Sequence, residues 1–320
     1  MKLAHCVEIY VERKRICGYD YHSSARVLRR FANSVGKIDI SFVTEQHINA
    51  FLRRGRLSHN MWRNYRAQIR RFLAYWFGRR QIRRIPEPEQ KPAVPTRFFP
   101  YVYSRAEIGR LLEAASICQA RRRCLMSPNT LRTIILFLYG TALRVKEALA
   151  LTDSDVHFDQ GLIEIFPGSL YRHRTIPMGT DVRRLLRQFL RSKERAPFGT
   201  GHALFLGTMG QPVQYSLLME AFQRLRTCAR VVRPNSPVPA RLQDLRHTFA
   251  VHSINSWAER GWSYEKMMPM LMSYMGIVRE KGFLRYFELT PSRFRSQLAS
   301  LTIRNALDRE VAFKRKLLRT

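Results

Sequence analysis

The chain has 320 residues, 45% of them hydrophobic, which is enough for two domains with their own cores and argues against a disordered protein. Its 56 Lys+Arg against 24 Asp+Glu leave a formal charge of +32, which points to a polyanionic partner, nucleic acid first and an anionic membrane surface second. No apolar run approaches the roughly 20 residues needed to span a bilayer, and Met1-Lys2-Leu3-Ala4-His5 does not lead into a signal-peptide core, so a cytoplasmic, nucleoid-associated location is expected.

In chain order, residues 3–17, 22–34, 44–54 and 59–78 read as helices. The last is the clearest, with Met61, Tyr65, Ile69, Phe72, Leu73 and Trp76 at helical spacing. Arg63, Arg66, Arg70 and Arg71 share the segment without acidic partners at i±4, which predicts a face that tracks phosphates. Residues 86–100, PEPEQKPAVPTRFFP, carry five prolines and interrupt any helix. The expected organisation is a helical DNA-binding domain over 1–85, a Pro-rich linker over 86–103, a second domain over 104–306, and a basic tail over 307–320.

Beyond the linker, Ser104 followed by Glu107 reads as a capping box opening a helix through Ala115. Residues 129–139 read as a buried helix broken near Gly140. Arg144 opens an amphipathic helix in which Glu147, one turn on, is placed to orient Arg144 or Arg246. Strands fit 162–166 and 174–178, joined by PGSLYRH, and helices return at 180–192, 215–229, 243–258, 264–273 and 292–306. The fold class expected is mainly α with a small antiparallel β-sheet.

Cofactor and metal candidates fall away. The five cysteines lack paired CxxC spacing, so neither a disulfide framework nor structural zinc is expected. Asp153, Asp155 and Asp159 have Phe158 where a calcium loop needs glycine, and read as a polar turn before a strand. His247 and His252 sit five apart, a poor zinc spacing. The methionines at 267, 268, 270, 272 and 275 read as packing.

Three separated segments carry the chemistry: TALRVKEALAL at 141–151, LQDLRHTFAVH at 242–252, and Met275-Gly276 followed by YFELTP at 286–291. They supply two guanidiniums, Arg144 and Arg246, and one phenol, Tyr286. Two arginines can grip the non-bridging oxygens of a phosphodiester while a side-chain oxygen attacks phosphorus, without a metal. The pattern resembles the tyrosine recombinase (phage integrase) family over roughly residues 100–300, and the YFELTP ending resembles its transposon-borne branch. The first box departs from the family's T-G-L-R-x-x-E-A-L-x-L only at Ala142. The second is matched over Leu245–Ala250, and Tyr286 lies nine residues after the position following the Met-Gly pair.

The resemblance implies a two-domain tyrosine-recombinase-like fold and a site-specific recombinase or integrase of a mobile element. It would cut and rejoin double-stranded DNA through a 3′-phosphotyrosine formed by Tyr286. It further implies self-assembly on DNA, companion recombinases, and no cofactor, metal or membrane. Gln243, His247, Glu147 and His173 are the supporting residues, and Arg172 and Arg174 join the DNA-binding set. Three positions depart from the family: Gln243 and Ile277 stand where histidines are usual, and Ser169 where the leaving-group lysine is expected. Each missing acid–base group would cost about 10²–10⁴-fold in its step. An accessory DNA-binding homologue with weak cleavage, and a type IB topoisomerase, are the alternatives.

Overall fold

The computed structural model describes residues 1–54, 57–89, 100–119, 124–166, 173–192, 202–233, 238–278 and Tyr286. The chain divides into two compact units that part between Phe98 and Phe99.

The first unit consists of α1 (Leu3–Ile16), α2 (His22–Val35), α3 (Glu45–Arg53) and α4 (His59–Phe77). Leu3, Val7, Leu28, Phe31, Ile48, Phe72, Leu73 and Trp76 make its core. The bidentate pair of Arg29 with Glu8, at 2.8 and 2.6 Å, ties α2 to α1. α4 starts at Ser58, whose Oγ accepts the Met61 N–H at 3.3 Å. Its buried stripe runs Trp62, Ile69, Phe72, Leu73, Trp76, whereas Met61 is exposed. The apolar seam is thus one residue later at its first turn than the hydrophobic spacing suggests.

The second unit opens with α5 (Arg105–Cys118), whose capping box closes as expected: Glu107 donates its N–H to Ser104 Oγ at 3.1 Å and accepts the Ser104 N–H at 2.8 Å. α6 (Pro128–Thr141) follows, then the short α7 (Val145–Ala150). α6 does not break at Gly140 but runs one residue past it. Glycine is needed there because a Cβ would lie 2.6 Å from Val182 Cγ2 of the facing helix. The turn itself is made by Ala142 in the left-handed region at φ 51°.

Asp153–Asp155 form a single 3₁₀ turn before β1 (Val156–His157), a strand too short to leave an alternating pattern in the sequence. β1 pairs antiparallel with β2 (Leu162–Ile165), and β2 with β3 (Arg174–Pro177), in the order β1-β2-β3. Ile163 faces Ile176 across β2 and β3, and Ile165 faces Arg174. α8 (Thr180–Leu190) packs on α6, α9 (Tyr215–Cys228) on α5, and α10 (Asp244–Glu259) on α6 and α11 (Tyr264–Met275). The fold is therefore mainly helical with one small antiparallel sheet. The segment 292–306, read as a helix, lies outside the described residues. Among the described residues no helix is long and apolar enough to cross a membrane, and no cluster of three potential metal ligands occurs.

Candidate active site

The site is built where α6, α7, α10, α11 and β3 meet. Ala142 turns the chain at the end of α6, so that Arg144 becomes the N-cap of α7. Glu147, at the third position of that helix, reaches back: its carboxylate accepts the Arg144 backbone N–H at 2.9 Å and Arg144 NH1 at 2.7 Å. The same carboxylate accepts NH2 and NH1 of Arg174, from β3, at 2.8 and 3.2 Å. Burial by itself would push the Glu147 carboxyl up. The hydrogen bonds from Arg174 and Arg144 outweigh it and bring the pKa down to about 2. Glu147 therefore orients Arg144 and Arg174, and of the two partners expected for it only Arg144 is hydrogen-bonded to it.

Arg174, expected in the DNA-binding set, is engaged by Glu147 within the site. Its side chain is only 13% exposed and its two terminal nitrogens are engaged by Glu147, so it belongs to the interior of the site. Arg144, at 40% exposure, is the more open guanidinium.

α10 delivers the second box. Gln243 is its N-cap, and its side-chain carbonyl accepts the Val145 N–H at 3.3 Å, which joins the starts of α10 and α7. With the oxygen so engaged, the Gln243 amide nitrogen is left as a donor. Arg246, one turn on, is 5% exposed, and its NH1 and NH2 donate to the carbonyls of Ala142 and Met275, each at 2.5 Å. Burial lowers its pKa to about 10, opposed by the nearby Tyr286, so it remains a cation at neutral pH. Each terminal nitrogen keeps a second hydrogen for a ligand. Arg144, Glu147 and Arg174 all lie close enough to act on its charge.

Tyr286 is 2% exposed and packs with Ala142, Ala250, Val251, Ile254, Leu271 and Met275. Its ring stands 5.4 Å from that of His247, tilted by 40°. Met267 and Met275 are in the same cluster, and Met268 and Met272 lie against it, whereas Met270 is 53% exposed and takes no part. Gly276 closes α11 at φ +63°, and Ile277 donates its N–H back to Met272 O at 2.9 Å. The Ile277 side chain packs against the cluster around Tyr286, so an apolar group occupies the position where the family pattern has histidine.

His173 is exposed at the start of β3 and stacks on Phe166 at 4.6 Å. Ser169, Arg172, Thr290 and Pro291 lie outside the described residues. His252 Nδ1 lies 2.8 Å from the Tyr139 hydroxyl. Tyr274, the neighbouring phenol, is stacked on Phe249 and donates to Gly140 O at 3.4 Å, with burial pushing its pKa up to about 12.

In the first unit, Arg63 and Arg71 are exposed on α4. Arg66 and Arg70, expected with them to track phosphates, each pair with an acid. Glu87, from the Pro-rich stretch, pairs with both, at 3.3 and 2.9 Å, and Glu89 pairs with Arg53. A search for acids one helical turn away misses a partner 17 or 21 residues along the chain.

Two further supports are added by the structure. Asp244, fully buried, accepts the Arg241 N–H at 2.9 Å and Arg241 NH2 at 2.8 Å, fixing the first turn of α10. An acid at a helix start is a visible signal, and the LQDLRH segment carries it. Tyr103, also fully buried, donates its N–H to Thr248 Oγ1 at 3.0 Å and its hydroxyl to Arg241 O at 2.9 Å. Nothing in the local sequence distinguishes it from Tyr101.

Residues 103–267 match the model of the phage integrase family. A Sinorhizobium fredii protein named as a putative integrase/recombinase, y4rB, is 26% identical over 92% of this chain and 95% of its own length. The tyrosine recombinase XerD of Ralstonia nicotianae is 30% identical over 46% of this chain and 45% of its own length. Among solved structures, a lambda integrase dimer bound to a core site has a TM-score of 0.63 at 12% identity, covering 89% of this chain and 95% of that one. The Tn1549 transposon integrase with transposon right end DNA has a TM-score of 0.62 at 18% identity, covering 94% of this chain and 99% of that one. The family match spans more than half the chain and contains both arginine boxes, and by it the chain belongs to the phage integrase family of tyrosine recombinases.

Proposed function

We propose that this protein cuts and rejoins duplex DNA of a mobile element, with Tyr286 attacking a phosphodiester to leave a 3′-phosphotyrosine and a free 5′-hydroxyl. The observation that carries the reading is the placement of Tyr286: the phenol lies beside His247 and within the field of the buried Arg246 cation, although it comes from a separate stretch of the chain. Arg144 and Arg246 bind the non-bridging oxygens and stabilise the charge that builds on phosphorus. Gln243 donates its amide N–H to the same phosphate, and His247 packs against the nucleophile. The phosphotyrosine conserves the bond energy, so rejoining needs no nucleotide and no metal.

The exposed arginines of the first unit, Arg63 and Arg71 together with Arg70, hold the duplex by its backbone. The lambda integrase neighbour is described as a dimer on DNA, which supports self-assembly of this chain on its sites, with companion recombinases as further partners. A cytoplasmic, nucleoid-associated location follows from that substrate.

A second reading, a DNA-binding accessory homologue with weak cleavage, is favoured by one observation. Ile277 packs into the apolar cluster around Tyr286, so that position supplies no proton to the leaving 5′-oxygen. His173 is the acid nearest in sequence to the hairpin and is exposed. Nicked suicide duplexes decide between the two. A covalent protein–DNA adduct formed in the presence of EDTA is expected; DNA binding without any adduct would establish the accessory role. A 5′-bridging sulfur at the scissile bond, which leaves without protonation, should accelerate cleavage if the missing acids limit the rate.

A further inference from the structure

We propose that Arg174 is a positioning residue that holds both arginines of the site in register, Arg144 through Glu147 and Arg246 through the Met275–Gly276 turn. The inference rests on the transesterification reading above and deepens it.

The geometry on the first side is a shared carboxylate. Glu147 receives Arg144 NH1 on Oε1 at 2.7 Å and Arg174 NH2 on Oε2 at 2.8 Å, with Arg174 NH1 also reaching Oε1 at 3.2 Å. Two guanidiniums therefore fix the plane of one buried acid, and that plane fixes where Arg144 points. Removing Arg174 leaves Glu147 free to rotate about a single remaining arginine.

The geometry on the second side is a close approach. Gly276 sits at φ +63°, and a Cβ built on it would lie 3.0 Å from both Cζ and Nε of Arg174. The turn thus rests directly on the Arg174 guanidinium. The residue just before it, Met275, presents the carbonyl that binds Arg246 NH2 at 2.5 Å. Arg174 Nε is buried with no hydrogen-bond partner among the described residues, so the contact with the turn is one of packing. β3 supplies the rigidity, since Arg174 pairs with Ile165 in the sheet register. One side chain on a strand therefore underlies supports of both catalytic arginines.

A residue so placed differs in its signature from a side chain that binds DNA directly. Deleting a phosphate-binding cation would lower the salt slope by about 0.9. Deleting a positioning residue leaves that slope alone and lowers the rate of the chemical step. It also changes a titration. The charged groups facing Glu147 are Arg144, Arg174 and Arg246, with Tyr286 acting on Arg246. Without Arg174, the buried carboxyl loses the strongest of the hydrogen bonds that hold its pKa down, so it rises, and its protonation releases Arg144.

The test uses the full chain and a nicked suicide duplex. Wild type is compared with Arg174→Gln, Arg174→Lys, Glu147→Gln, and the double variant carrying Glu147→Gln and Arg174→Gln. Expected for Arg174→Gln are duplex affinity within about threefold of wild type and an unchanged salt slope. Adduct formation should fall by about 10–100-fold, with a steeper loss than wild type between about pH 6 and pH 4. Arg174→Lys should recover part of the rate. In the Glu147→Gln background, Arg174→Gln should cost less than it does in wild type, because the route through the carboxylate is already lost and only the support of the Met275–Gly276 turn remains. A salt slope reduced by about one, with binding and cleavage falling together, would make Arg174 a phosphate-binding residue and overturn the proposal. So would additive losses with an unchanged pH profile, which mark general support of the fold. Wild-type protein that forms no adduct overturns the cleavage reading itself, and the positioning role with it.

Discussion

The rings of His247 and Tyr286 face one another at 5.4 Å although 39 positions of sequence separate them, and the tyrosine of the pair is 2% exposed. The proposed nucleophile is thus also a core residue, which determines how it can be probed. Tyr286→Phe removes the hydroxyl and keeps the packing, so it should abolish the adduct while leaving thermal unfolding and DNA affinity close to wild type. Tyr286→Ala should destabilise the second unit by about 3–5 kcal/mol and would confound the two effects. Adduct formation by Tyr286→Phe would exclude this phenol as nucleophile.

Arg246 and Arg144 should separate in a stability measurement. Arg246→Ala leaves the Ala142 and Met275 carbonyls without their donor inside the protein, a loss of about 2–4 kcal/mol. Arg246→Lys should restore only part, since an ammonium cannot bridge both carbonyls as the planar fork does. Arg144→Ala, at a half-open position, should change stability by less than about 1 kcal/mol and still suppress cleavage. Denaturant unfolding monitored alongside adduct yield checks both.

Glu147 makes a prediction about acid. Its folded pKa, about 2, lies below the unfolded value, so its contribution to stability is full above the ordinary carboxylate range and is lost as pH falls through the folded pKa. The contribution is on the order of 3 kcal/mol. Unfolding free energy measured from about pH 5 to pH 2 should fall more steeply for wild type than for Glu147→Gln. Parallel curves would mean that this carboxylate is not held as described.

Glu87 pairs with Arg66 and Arg70 on the basic face of α4. These are partly exposed pairs, each worth at most about 1 kcal/mol, so backbone phosphates can displace the acid. Glu87→Gln should therefore leave stability nearly unchanged, raise affinity for a duplex several-fold, and steepen its salt slope by up to about one. Unaltered affinity would mean that this face does not meet DNA.

Much of the molecule is legible from sequence because the informative patterns are local. The α4 stripe and the Ser104–Glu107 capping box depend on residues close together in the chain, and each of the strands around Ile163 and Ile176 on the alternation within itself. The arginine and tyrosine boxes are legible for another reason: each is a short string whose order reflects a family pattern. What escapes depends on contacts between distant segments. Glu87 on Arg66 and Arg70, Arg174 on Glu147, and Tyr103 on Thr248 leave no periodicity behind. Gly140 shows the same limit within one helix. A glycine there suggests a break, yet the residue is small because Val182 of another helix needs the space.

Tyr103 ends the stretch that leads out of the Pro-rich segment, and it is fastened at two points to α10 and the residues just before it, through Thr248 and the Arg241 carbonyl. Tyr103 is thus held at the start of the second unit by two hydrogen bonds. Residues 101–103 are anchored to α5 through the Tyr101 hydroxyl on Glu107, and to the start of the helix that bears Gln243, Arg246 and His247 through Tyr103. Thr248→Ala, which cuts one of the two fastenings, should therefore loosen the start of α10, where Gln243, Arg246 and His247 sit.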